Sequence, residues 1–151
     1  MTVDQVIDTL KLEKQQRVPS RFPCRAIMVG NIAEYCDLLE KLKTIPNVEV
    51  VPSDVLFSSA DVLPAYDSLM DSQYKDKWLI LPGVSEYLRL FSRGETQRQR
   101  FTKLWRYMGY GSDLGRIIIP LWGCRAQWHD KDLHLDGDER QKDFFFDCTT
   151  D

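Results

Sequence analysis

Apolar residues fall along this chain in two patterns: short unbroken runs, and stretches spaced at three and four residues. The runs are Cys24-Arg25-Ala26-Ile27-Met28-Val29-Gly30, Trp78-Leu79-Ile80-Leu81-Pro82-Gly83 and Arg116-Ile117-Ile118-Ile119-Pro120-Leu121-Trp122-Gly123. Each ends in a turn signal, as a strand covered by helices on both faces does. Val48 to Val51 predicts a further, shorter strand, which Pro52-Ser53-Asp54 turns out of the sheet.

The spaced stretches predict helices. Thr2-Val3-Asp4-Gln5 fits a capping box, and Val3, Val6, Ile7 and Leu10 follow at helical spacing. Asn31 is placed to cap a second helix with Glu34 three residues on, and Ile32, Tyr35, Leu38, Leu39, Leu42 and Ile45 form its buried stripe. Residues 59 to 70 suit a helix with Pro64 in its first turn. Ser85 is expected to cap a helix with Tyr87, Leu88, Leu90 and Phe91, ended by Gly94. A last helix runs from about Thr96 to Met108 and buries Phe101, Leu104, Trp105 and Met108.

Strands alternating with helices imply right-handed crossovers. The expected fold is α/β: a three-layer αβα sandwich with a mostly parallel sheet of about four to five strands, Rossmann-like or degenerate P-loop-like. All 151 residues form one domain in this reading, with 43% hydrophobic residues to fill its core. Phe144-Phe145-Phe146 has no visible partner element, and such a cluster near the terminus suggests the amino-terminal part of a longer protein.

A formal charge of -3 gives no global attraction to nucleic acid or to an anionic membrane. Locally, Arg89, Arg93, Arg98, Arg100, Lys103, Arg106 and Arg116 face only Glu95 and Asp113 between residues 89 and 116. Nucleic acid is a possible partner of that surface, although a solvated helix face is the commoner explanation. Four cysteines without a CxxC pair, behind an acidic amphipathic amino terminus, fit a reduced cytoplasmic setting. No apolar stretch approaches the roughly 20 residues that span a bilayer, so no membrane is expected.

Catalytic signatures are missing. A phosphate loop needs convergent backbone N–H groups and a lysine, yet no GxxxxGK[ST] is present and only Gly30-Asn31 follows the first strand. Cys124, His129, His134 and the acids Asp130, Asp132, Asp136, Asp138 and Glu139 match no metal-ligand spacing, so neither a metal nor a cofactor is assigned to this segment. Neither Cys124 nor Ser85 sits in a nucleophile elbow. Trp122 and Trp128 flank a polar loop with Arg125, and together with Phe144, Phe145 and Phe146 they are candidates for a surface that another domain covers.

Arg21 to Val29, Trp78 to Arg89 and Arg116 to Gly123, with Asp138-Glu139-Arg140-Gln141, resemble the amino-terminal region of PglZ proteins of BREX-type phage-defence systems. The resemblance implies a larger protein whose metal-dependent, phosphatase-like domain lies downstream, and it transfers no catalytic residue to this segment. The chain is then expected to be a noncatalytic interaction or assembly module whose partners are other domains of the same protein or subunits of a defence complex. The alternative is a small-ligand or nucleotide-binding domain, with Gly30, Asn31, Ser53, Asp54, Gly83, Ser85 and Arg125 lining a crevice at the carboxyl ends of the strands.

Overall fold

Each apolar run becomes a strand of one parallel sheet. The computed structural model describes residues 1–16, 24–52, 77–91, 117–123 and 145–149. The strands are β1 (Cys24–Val29), β2 (Val48–Val50), β3 (Trp78–Ile80), β4 (Ile117–Trp122) and β5 (Phe145–Asp147), in the order β2-β3-β4-β1-β5. All four neighbouring pairs are parallel. This is an α/β sandwich. Two strands separate β1 from β2, unlike the dinucleotide-binding order in which the first two strands are neighbours.

Phe144-Phe145-Phe146 corrects the expectation of a cluster without a partner. Phe145 and Phe146 belong to β5, which pairs with β1 through Ala26↔Phe145 and Ile27↔Phe146. The Phe146 side chain is 7% exposed and belongs to the core, so it offers no interface surface. Phe144 lies outside the described residues.

Helices α1 (Val3–Gln16) and α2 (Ile32–Leu42) cover one face of the sheet. Val6, Ile7 and Leu10 of α1 and Tyr35, Leu38 and Leu42 of α2 pack with Ile27, Val29, Ile80, Ile118 and Phe146, and each large apolar side chain so buried contributes roughly 1.5–3 kcal/mol. The capping box forms as expected: Gln5 N–H donates to Thr2 Oγ1 at 3.2 Å and Thr2 N–H to Gln5 Oε1 at 2.8 Å. Ile32 departs from the expected buried stripe and is 55% exposed. It opens α2, directly after the Asn31 cap. Lys41 of α2 bridges Asp37 and Asp4 of α1 at 3.1 and 3.0 Å.

On the other face, Ala26, Leu79, Ile117, Ile119 and Leu121 are fully buried. Right-handed crossovers put α3 (Val84–Phe91) on this side, where Val84, Tyr87 and Leu88 are buried. The predicted helices at residues 59–70 and 96–108 lie outside the described residues. Among the described residues, no helix is long and apolar enough to cross a membrane.

Pro120 sits in a central strand, where its missing N–H would ordinarily cost a ladder hydrogen bond. Strand alternation turns that position toward β3, on the side where Ile118 C=O accepts from Leu81 N–H. By Pro120 the β3 chain has already left the sheet through the Pro82-Gly83 turn. Two residues further on, Trp122 N–H on the same side donates to Ser85 Oγ at 2.9 Å instead of to a strand carbonyl.

Candidate functional site at the carboxyl edge of the sheet

Neighbouring strands β1 and β4 send their connections in opposite directions, β1 toward β2 and β4 toward β5. In open α/β sheets such a switch point, at the carboxyl ends of the strands, is where ligands bind. The turn after β1, the turn between β3 and α3, and the end of β4 meet there.

The β1 turn is closed by its own helix. Asn31 caps α2 with an extended backbone, and Glu34 N–H donates to Asn31 Oδ1 at 2.9 Å. The Glu34 carboxylate reaches back in return: Oε2 accepts Gly30 N–H at 2.9 Å and Oε1 accepts Asn31 Nδ2 at 3.2 Å. An anion bound at a helix amino terminus would use donors of this kind. Here an internal carboxylate holds them.

The β3 turn is tied across the crevice to α2. Gly83 takes a positive φ of 84°, and its N–H donates to the Tyr35 hydroxyl at 3.2 Å. Burial is the largest influence on that hydroxyl and raises its pKa. The Gly83 hydrogen bond opposes this, while the negative charge of Glu86 and the neighbouring Cys36 add to the rise. Gly83 C=O accepts the first helical hydrogen bond of α3, from Tyr87 N–H at 2.9 Å. Ser85 is therefore inside the helix and not at its cap, contrary to the expectation from sequence. Its buried hydroxyl serves the Trp122 backbone instead.

Trp122 is the hub of the β4 end. Its indole Nε1–H donates to Glu86 Oε1 at 3.0 Å, while Glu86 Oε2 is buried and accepts no hydrogen bond. The exposed Arg89 guanidinium lies 3.9 Å from the indole centroid, and its Nη2 donates to Trp122 C=O at 3.3 Å. The next residue, Gly123, has φ 68° and passes its N–H to Val29 C=O at 3.1 Å. A Cβ on Gly123 would stand 2.9 Å from Arg89 Nη2.

The structure thus brings Gly30, Asn31, Gly83 and Ser85 to one edge of the sheet and engages each in an internal hydrogen bond. Of the interface candidates, Trp122 lies at the same edge, half-buried. Ser53, Asp54, Arg125 and Trp128 lie outside the described residues, as do Cys124, His129, His134 and the acids between residues 130 and 139. Among the described residues, no three metal-ligating side chains come together. Sequence reasoning missed Glu34, Tyr35, Glu86 and Arg89 as residues of this edge. The signal for Glu86 and Arg89 was their spacing of three, which points both side chains the same way from one helix.

Comparison with protein-family models, with curated proteins and with solved structures gives no match.

Proposed function

We propose that this chain is a noncatalytic interaction and assembly module of a larger, cytoplasmic phage-defence protein of the PglZ type, with any phosphatase-like chemistry carried downstream. One observation supports the noncatalytic part above the rest: Glu34 holds the Gly30 N–H and the Asn31 amide at the turn between β1 and α2, the turn weighed for a phosphate. A nucleotide binding there would have to displace a carboxylate that makes two hydrogen bonds. Ser85, the nucleophile candidate among the described residues, has its hydroxyl committed to Trp122 N–H.

The defence-system part rests on the segment resemblance. Trp122 and Arg89 support the interaction part, because tryptophan and arginine dominate the energetics of protein interfaces. The test is a melting-temperature series with ATP, GTP, inorganic phosphate and phosphorylated sugars. A module of this kind gives no ligand-dependent shift, whereas a nucleotide-binding domain saturated at 100 times its Kd gains about 2.7 kcal/mol. A saturable rise with any nucleotide overturns the reading in favour of the ligand-binding alternative.

A further inference from the structure

We propose that Arg89, held against Trp122, is the anchor on which a carboxylate of a partner protein docks at the carboxyl edge of the sheet; this rests on the interaction-module reading. The guanidinium is held by two contacts with Trp122, in a space that Gly123 leaves open. It lies 3.9 Å from the indole centroid, its Nη2 donates to Trp122 C=O at 3.3 Å, and Gly123 leaves open the space that a Cβ would close to 2.9 Å. The platform beneath it is fixed in turn, with the indole N–H on Glu86 Oε1 at 3.0 Å and the backbone N–H on Ser85 Oγ at 2.9 Å.

This charge is positioned without being neutralised. Among the described residues, Arg25, Lys41, Lys43 and Lys77 each have a carboxylate partner, whereas Lys11, Lys14 and Arg89 have none. Glu86, three residues before it, gives its Oε1 to the indole instead. Arg89 is exposed, and a single Nη2 contact leaves most of its N–H fork turned to solvent. A guanidinium whose rotamer is already restricted binds a carboxylate through two parallel hydrogen bonds at a reduced ordering cost.

The surroundings select the partner. Glu34, Glu86 and Asp147 stand at the same edge of the sheet as Arg89, so an extended polyanion such as nucleic acid, which must cross that edge, meets repulsion there. A protein segment presenting one or two carboxylates satisfies the fork and, carrying few charges, meets much less of that repulsion.

The test follows the Arg89 Nε–H and Trp122 Nε1–H signals of the nitrogen-15-labelled 151-residue chain by NMR during titration with an end-capped glutamine peptide carrying two glutamates, with the same peptide of glutamines alone, and with duplex DNA. The two-glutamate peptide should move both signals together and saturably, and the all-glutamine peptide should not. Arg89→Lys keeps the charge and loses the fork, so it should weaken binding of the two-glutamate peptide about tenfold. An unchanged melting temperature of that variant shows that the fold is intact. Three results would each overturn the proposal: no saturable movement with the two-glutamate peptide, equal affinity in wild type and Arg89→Lys, or tighter binding of duplex DNA than of that peptide. Failure here with no nucleotide-dependent melting shift removes Arg89 as the anchor and leaves the module reading standing. A nucleotide-dependent shift removes that reading, and this proposal with it.

Discussion

The carboxylate of Glu34 accepts the backbone N–H of Gly30 at 2.9 Å, so the first turn of α2 folds back to close the end of β1. The same side chain binds Asn31, the residue that caps its own helix. Helix capping and closure of the β1 turn are therefore one device. Glu34→Ala should cost about 1–2 kcal/mol, measured by urea denaturation, because it leaves Gly30 N–H to water and removes a negative charge from the helix amino terminus. Glu34→Gln should recover part of the loss, since an amide oxygen still accepts.

Ser85 and Trp122 predict a second stability effect. Ser85→Ala leaves the Trp122 N–H without its acceptor in a partly buried place, at a cost of about 1–3 kcal/mol. Chemical denaturation checks the magnitude. Intrinsic fluorescence should change with it, because the Trp122 indole depends on the same strand end.

Gly123→Ala combines backbone strain with displacement of Arg89. The positive φ costs an alanine about 1 kcal/mol, and the new Cβ pushes the guanidinium off the indole. In an Arg89→Ala background the steric part disappears, so the double-mutant cycle should be non-additive while the backbone part persists.

Phe146→Ala should be the most damaging of these changes, at about 3–5 kcal/mol. Its side chain is buried beneath α1, and Arg25 lies 5.3 Å from its ring centroid while pairing with Glu13. Loss of the ring should release β5 from β1, which hydrogen exchange at Cys148 N–H would report, since that group donates to Met28 C=O at 2.8 Å.

Tyr35 gives the chain an alkaline limit. Burial raises the pKa of its hydroxyl above the ordinary 10.0, so the neutral form is favoured in the folded state. The corresponding stability is fully present below pH 10 and is lost as the pH rises through the higher folded value. Urea midpoints between pH 8 and 11 should fall at the alkaline end. Tyr35→Phe should lower stability at pH 8, by loss of the Gly83 acceptor, and should flatten the alkaline fall.

Features decided within a few residues were legible in the sequence. The Thr2–Gln5 capping box, the Asn31 cap and the strands of the three apolar runs all formed, because each depends on local hydrogen bonding or on continuous burial. Features decided by distant partners were not. Phe146 has no meaning as a strand residue until β1 stands beside it, and the pairing partner Ile27 is far away in the chain. Ser85 looked like a cap because serine before an apolar helix usually is one. Only the turn at Gly83 and the passage of β4 alongside moved it inside the helix and gave it Trp122 to serve. Glu86 and Arg89 showed their common face, but the indole between them could not be named before the strand order was known.

The most direct test of the assembly role is native mass spectrometry of the natural gene product isolated from its source cells. The account predicts a covalent chain heavier than 17.7 kDa, held in a noncovalent complex with another subunit. A free 17.7 kDa monomer would contradict it.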